Sequence, residues 1–243
     1  MNPRFFDRVT VILRCSMAPV EGIVTMKGAT LFISSKNYSS WSLRGFLLAR
    51  LSGLVFEEKV VSPDDPSNRA ELLLQSSSIR IPYLVHGDVV IWDTLAIAEY
   101  LNETFPNVQM LPADPRARAH CRSISGEMHS GFAALRGSLP MNLKLFRPGF
   151  TLWSAVRADI ARITEIWREC QDTWHGPWLY GSRPTIADAM YAPVVTRFRT
   201  YDVKLDPVSE AYCQKLLAWP DLREWWAAAQ REPEQIEELD IEF

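Results

Sequence analysis

The stretch RIPYLVHGDVVIWDT, residues 80–94, holds the pattern that decides the fold. It contains two short β-prone runs, residues 82–86 and 89–92, on either side of Gly87-Asp88, a pair typical of a hairpin turn. Proline is tolerated as the first residue of a strand, so Pro82 fits the start of the first run. The stretch therefore predicts an antiparallel hairpin.

A helix is predicted directly after this hairpin. Asp93 or Thr94 can cap its first turn, and the helix then extends over residues 95–104. Phe105-Pro106 ends it, because the residue before a proline disfavours helical backbone.

Outward toward the N-terminus, the chain alternates strand and helix. Residues 29–33 and 55–61 are β-prone, and from Trp41 the apolar residues recur at helical spacing. Residues 68–75 are a candidate short helix. The predicted order over residues 26–107 is β-α-β-α-β-β-α, an α/β unit of ordinary domain size.

Outward toward the C-terminus, the character of the chain changes. Residues 108–113 are typical of a linker, and residues 114–243 are predicted to form an all-helical domain with no strand. Residues 17–27 have little periodicity, and residues 1–25 are expected to be an extension outside the fold. The helices predicted after the linker cover residues 116–135, 150–174, 186–201 and 209–230.

Composition excludes several classes of function. The chain has 243 residues and a formal net charge of -3, so no strongly basic field is present to hold nucleic acid or an anionic membrane. The four cysteines and four histidines are scattered, without zinc-like spacing, and we expect no metal site. Reduced, partly buried cysteines are typical of a cytoplasmic protein.

Ser39 and Ser40 lie between a predicted strand and a predicted helix, at a helix N-terminus. Free backbone N–H groups and the positive end of the helix dipole favour an anion there, and a serine hydroxyl can donate a hydrogen bond to a thiolate. Helix capping alone also explains a serine at this position.

Two further features lie downstream in the same α/β unit. If the Ile81-Pro82 bond is cis, the backbone before the strand can meet a peptide ligand. Thr94 and the free N–H groups of the next helix suit an amino-acid carboxylate, whereas Asp93 suits an amine. An ordinary turn proline and an ordinary cap are the simpler explanations of each feature taken alone.

Together, these features resemble the glutathione transferase family, serine-type and zeta-like. Residues 29–106 resemble its thioredoxin-like domain and residues 114–230 its helical domain. The stretches that carry the resemblance are NYSSWSLR, RIPYLV, VVIWDTLAIAEYLNETFP and GSRPTIADAMYAPVVTRF. The resemblance implies a glutathione co-substrate, a small electrophile, no metal and a homodimer.

The resemblance also implies roles for single residues near the first helix. Ser39 falls where zeta-like enzymes carry their thiol-activating serine, with Tyr38 and Ser40 as rivals. Trp41 falls where beta-class enzymes carry a cysteine, which argues against a mixed-disulfide mechanism and disfavours a thiol–disulfide reductase.

For the glutathione molecule itself, the resemblance implies contacts on the other side of the site. Ile81, before Pro82, resembles the residue whose backbone pairs with the cysteinyl part, and Asp93 and Thr94 resemble the γ-glutamyl binders. Arg80 either meets the glycyl carboxylate or faces solvent.

The electrophile is expected between the two domains, against the first helix of the second. His129, Phe132 and Arg136 are candidates, with a spacing that fits one helix face. Packing in the core explains Phe132 and a satisfied histidine explains His129 equally well, and Arg136 has Glu127 and Asp188 as alternative partners.

Thr185 and Asp188 match the helix capping box, where the structural interpretation is preferred to a catalytic one. Alanine at Asp188 is expected to lower stability by about 0.5–2 kcal/mol.

Two functions follow from the sequence. The leading one is glutathione transfer to, or isomerisation of, a small electrophile, with maleylacetoacetate isomerisation as one zeta-like possibility that needs a cationic pocket. The alternative is a non-catalytic glutathione-binding or protein-interaction module of the same fold.

Overall fold

A four-stranded mixed sheet forms the first part of the computed structural model, which describes residues 28–61 and 80–233. Its strand order is β2-β1-β3-β4, with β1 parallel to β2 and antiparallel to β3, and β3 antiparallel to β4. The predicted hairpin is therefore confirmed as β3 and β4. The strands are β1 Ala29–Ile33, β2 Phe56–Val60, β3 Tyr83–His86 and β4 Val89–Trp92.

Within the described residues, two helices pack on this sheet and against each other. Helix α1, Ser40–Leu51, connects β1 to β2, and helix α2, Thr94–Thr104, follows β4 directly. Gly45 lets α1 approach β3 closely, because a Cβ atom at this position would lie only 2.8 Å from Pro82 Cγ. The start of α1 and the start of β3 are thereby held side by side.

The second part of the described chain is helical. Helix α6 lies at its centre, packed against both α1 and α3, and every residue of α6 except Arg199 is buried. The helices are α3 Pro115–Ser130, α4 Ala133–Ser138, α5 Ser154–Trp174, α6 Ile186–Thr200, α7 Pro207–Leu217 and α8 Pro220–Arg231.

The predicted fold class, a thioredoxin-like α/β part followed by an all-helical part, is confirmed. The predicted short helix at 68–75 and the extension at 1–25 lie outside the described residues. The domain boundaries at 26–107, 108–113 and 114–243 stay predictions.

Three predicted helices are wrong in extent, of which the one predicted over 150–174 begins only at Ser154. The helix predicted over 116–135 ends at Ser130, because Phe132 has left-handed backbone with φ 57° before α4 begins. The helix predicted over 209–230 is divided into α7 and α8 at Pro220, a residue that starts helices well but breaks their interiors. His129, Phe132 and Arg136 therefore do not share the face of one helix.

The capping box at the start of α6 is confirmed, and it is larger than the sequence indicated. The Asp188 carboxylate accepts from Thr185 N and Thr185 Oγ1, at 2.7 and 2.9 Å, and also from Leu179 N and Tyr212 Oη, both at 3.1 Å. Burial raises the pKa of Asp188 to about 6, and these donors oppose the shift.

We expect Asp188→Ala to lower the free energy of unfolding by about 3 kcal/mol or more, because it leaves several buried donors unpaired. Urea-induced unfolding measures the change. Asp206→Ala is the matched control: Asp206 caps α7 near the surface, accepting from Val208 N and Ser209 N. Its loss should cost about 0.5–2 kcal/mol. Equal losses for the two variants would contradict the larger role of Asp188.

Candidate functional site

Ser39 is the N-cap of α1, and its hydroxyl belongs to a short chain of serines. Ser39 Oγ accepts from Ser42 N at 3.2 Å and donates to Ser42 Oγ at 2.8 Å. Ser42 is buried, and its Oγ also accepts from Ser34 N at 3.0 Å. The cap fixes the Ser39 oxygen, and the single Ser39 hydroxyl proton is donated to Ser42 Oγ.

The two rival hydroxyls have different surroundings. Ser40 is the first residue of α1, partly exposed, and its Oγ makes no hydrogen bond to the residues that the structure describes. Tyr38 is buried in the turn before the cap. The three neighbours thus differ clearly in burial and in hydrogen bonding.

A cavity of about 310 Å³ lies beside the N-terminus of α1. The Ile81-Pro82 bond at its wall is cis. Six of the predicted site residues, from three separate segments, line this cavity together with Trp41: Arg80, Ile81, Pro82, Asp93, Thr94 and His129. Ser39 and Ser40 directly precede Trp41 in the chain but are not among the described lining residues.

The N-terminus of α2 forms one side of the cavity. Asp93 has a positive φ of 77° and caps the helix through Oδ1, which accepts from Leu95 N at 2.9 Å. Thr94 is 1% exposed, and its Oγ1 has no partner among the described residues. An unpaired buried hydroxyl costs about 1–3 kcal/mol, so it marks a place where a ligand can supply the missing acceptor.

His129 reaches this cavity from α3 in the helical part. Its Nε2 lies 2.7 Å from Asp93 Oδ2, a contact that joins the two parts of the protein across the cavity. The imidazole is therefore a satisfied histidine, as one of the two sequence interpretations expected, and it also lines the site.

Trp41 is the wall residue that sequence reasoning missed. Two guanidinium groups lie over its indole, with Arg44 Cζ 4.5 Å and Arg136 Cζ 4.9 Å from the ring centroid, and the His129 ring centroid is 5.1 Å away. The spacing of Trp41 and Arg44, three residues apart on one helix, was a signal for the first of these contacts.

Three arginines, Arg44, Arg136 and Arg197, lie close enough together to repel each other. Arg44 and Arg197 are buried. Burial, followed by the charges of Arg197 and Arg136, lowers the pKa of Arg44 well below its ordinary value. Burial also lowers the pKa of Arg197 to about 10.

The partners that the structure gives these three guanidiniums are backbone carbonyls. Arg44 donates to Met190 O at 2.8 Å, Arg197 to Leu139 O at 2.8 Å and Arg136 to His129 O at 3.2 Å. The alternative pairing of Arg136 with Glu127 or Asp188 is wrong, since Glu127 pairs with Arg162 and Asp188 caps α6. The two guanidiniums nearest Trp41, those of Arg44 and Arg136, thus have no carboxylate among their described hydrogen-bond partners.

The remaining candidate, Phe132, packs in the hydrophobic core and is not among the described lining residues of this cavity. The core interpretation of Phe132 is therefore the better one. A second cavity, of about 640 Å³, lies between Gly137 and Trp153 and contains none of the predicted site residues.

Within residues 28–61 and 80–233, no group of three or more His, Cys, Asp or Glu side chains is arranged to hold a metal ion. The helices of the same residues include none that is long and apolar enough to cross a membrane.

Comparison with known families agrees with this geometry. The model of the glutathione S-transferase N-terminal domain matches residues 38–104, and that of the C-terminal domain matches residues 129–228. The first match therefore includes Ser39, Ile81-Pro82 and Asp93-Thr94, and the second includes His129 and the capping box.

Individual proteins show the same relationship. A probable maleylacetoacetate isomerase of Caenorhabditis elegans is 30% identical over 175 residues, covering 69% of this chain and 78% of that protein. A glutathione transferase homolog from Burkholderia, solved with bound glutathione, covers 85% of this chain and 100% of its own at 23% identity, with a TM-score of 0.65.

A solved maleylacetoacetate isomerase from Anaeromyxobacter dehalogenans is 25% identical, covers 86% of this chain and 94% of its own, and has a TM-score of 0.58. One conclusion follows from three findings: the two domain models match in the expected order, a relative aligns over most of its length, and the fold is shared with solved structures. The chain belongs to the glutathione transferase family.

Proposed function

We propose that this protein binds glutathione in the cavity beside α1 and activates its thiol as a thiolate through the Ser39 hydroxyl. The observation that carries the proposal is the serine chain at the α1 N-terminus, next to a cavity bounded by the cis-proline and the N-terminus of α2. As in the family at large, we place the enzyme in the cytoplasm as a homodimer.

The proposed orientation of glutathione follows from the chemistry of the cavity wall. The backbone of Ile81 pairs with the cysteinyl part, and the free N–H groups of α2 with Thr94 Oγ1 hold the γ-glutamyl carboxylate. Asp93 holds the γ-glutamyl amine, and Arg80 is the candidate for the glycyl carboxylate. The sulfur then lies toward the α1 N-terminus.

Two local interactions supply enough energy to activate the thiol. Lowering a thiol pKa from about 8.5 by two units requires roughly 2.7 kcal/mol of preference for the anion. A hydrogen bond to a charged group supplies roughly 1.5–3 kcal/mol, and the helix N-terminus adds about 0.3–1. When the Ser39 hydroxyl turns its proton to the sulfur, the Ser42 hydroxyl can donate to Ser39 Oγ. This second hydrogen bond strengthens the one from Ser39 to the sulfur.

The proposed electrophile carries negative charge. Arg44 and Arg136 lie beside Trp41 and have no carboxylate among their described hydrogen-bond partners, which suits an anionic, unsaturated acid, and relatives of this chain are named maleylacetoacetate isomerases. Reversible addition of the thiolate to such an acid, rotation about the resulting single bond and expulsion of the thiolate would isomerise it.

We expect Ser39→Ala to lower kcat roughly 10- to 100-fold with near-normal affinity for glutathione, because it removes the charge-assisted bond to sulfur. Steady-state kinetics with a generic aryl halide, and calorimetry for glutathione, give the two quantities. Ser40→Ala, in the same turn, is the matched control and should keep its turnover. If Ser39→Ala keeps full turnover, the assignment moves to Ser40 or Tyr38.

Thr94→Val separates ligand binding from stability. Because Thr94 Oγ1 has no partner among the described residues, we expect unchanged or higher stability together with roughly tenfold weaker glutathione binding. Thr196→Val is the control with the opposite pattern, since the Thr196 hydroxyl donates to Pro193 O at 2.9 Å. Normal glutathione affinity in Thr94→Val would remove Thr94 from the proposed site.

The charge of the electrophile is tested with Arg136→Met. We expect kcat/KM to fall about tenfold or more for an electrophile with a carboxylate and to stay unchanged for a neutral aryl halide. Arg118→Met is the control, because Arg118 also bonds to backbone carbonyls but at the far end of α3. Equal losses on both substrates would argue against recognition of an anion.

The non-catalytic module remains the competing function. It predicts glutathione binding to the wild-type protein without turnover of any electrophile. Absence of glutathione binding would contradict both functions.

A further inference from the structure

The loop between β1 and α1 ends at Ser39, and its backbone N–H groups have no partner in the sheet. Glu232, at the end of α8, accepts from two of them. Lys36 N donates to Glu232 Oε1 at 2.9 Å and Asn37 N donates to Glu232 Oε2 at 2.9 Å, across nearly two hundred residues of sequence. One carboxylate from the last described helix thus closes over the loop that leads to Ser39.

Ser35 extends this contact to the remaining N–H groups of the loop. Its hydroxyl donates to Glu232 Oε2 at 2.8 Å and accepts from Asn37 N at 3.2 Å and Tyr38 N at 3.3 Å. The Ser35 carbonyl accepts from Ser39 N at 3.0 Å. Every backbone N–H from residue 36 to residue 39 is therefore directed at Glu232 or at Ser35, which Glu232 itself orients.

The helical part also holds both the loop and Glu232. Trp225 Nε1, on α8, donates to Lys36 O at 2.9 Å, and Lys144 Nζ donates to the Glu232 carbonyl. Asn37 Oδ1 in turn accepts from Leu143 N at 2.7 Å and from Lys144 N at 3.1 Å. The loop is thereby clamped between α8 and the segment that follows α4.

We propose that Glu232 is a positioning residue for the reaction, acting on Ser39 through the loop 35–38. The inference rests on the proposed function, since it concerns the placement of the thiol-activating hydroxyl. Hydrogen bonds to an ionised acceptor are the stronger kind, so the charge of Glu232 matters beyond its shape. A displacement of a reacting group by about 1 Å can cost about 100-fold in rate, so a loosened loop should impair activation more than binding.

Glu232→Gln is the central variant, because it keeps the size of the side chain and removes the charge. We expect faster amide hydrogen exchange at Lys36 and Asn37 and a roughly tenfold fall in kcat with little change in KM for glutathione. The ultraviolet absorbance of the bound thiolate, followed against pH, should show a higher apparent pKa for the glutathione thiol.

Glu224→Gln is the matched control on the same helix, because Glu224 pairs with Arg50 of α1 and lies outside the loop. It should leave exchange, kcat and thiol pKa unchanged. Ser35→Ala is the second variant, in case Glu232→Gln does not fold. Ser35→Ala removes the bridging hydroxyl with a small change in volume. It should change amide exchange, kcat and the thiol pKa in the same directions as Glu232→Gln.

The outcomes are distinct. Unchanged exchange at residues 36 and 37 overturns the inference, and so does faster exchange with an unchanged thiol pKa, which is the result of a purely structural contact. A wild-type protein that forms no glutathione thiolate overturns the proposed function itself. Wild-type thiolate formation with an unaffected Glu232→Gln variant overturns only the role of Glu232.

Discussion

The close packing of α1 is the constraint on which the rest of the site depends. On one side, Gly45 lets the helix approach Pro82, so the cap of α1 and the start of β3 become neighbours. On the other side, the Arg44 guanidinium reaches into the helical part and donates to Met190 O of α6. A bulkier residue at 45 would separate the two walls of the cavity, and a shorter one at 44 would release α1 from α6.

The chemistry of the site follows from the backbone groups and charges that this packing collects. Two helix N-termini, those of α1 and α2, lie near one cavity, and each offers unpaired N–H groups to an anion. Arg44, Arg136 and Arg197 add positive charge without an opposing carboxylate among their described hydrogen-bond partners. The arrangement is thus compatible with the proposed thiolate and the proposed anionic acid.

The sequence predicted those parts of the molecule whose causes are local. Three of these parts each depend on a few consecutive residues and could be predicted from sequence: the hairpin, the cap of α2 and the capping box at Asp188. The end of the helix before Phe132 could not be predicted from sequence. Left-handed backbone at a phenylalanine is imposed by tertiary packing and has no local sequence signature.

Contacts between distant segments account for what was missed. The indole of Trp41 is enclosed by Arg136 from α4, and the loop before Ser39 is held by Glu232 from the end of α8. Neither contact has a spacing that a sequence pattern reveals. The residues proposed to bind glutathione were found from local motifs, whereas Glu232, proposed to position the Ser39 hydroxyl, comes from the other end of the chain. If the proposed roles hold, substrate binding and thiol activation depend on different parts of the sequence, and mutations can alter one while sparing the other.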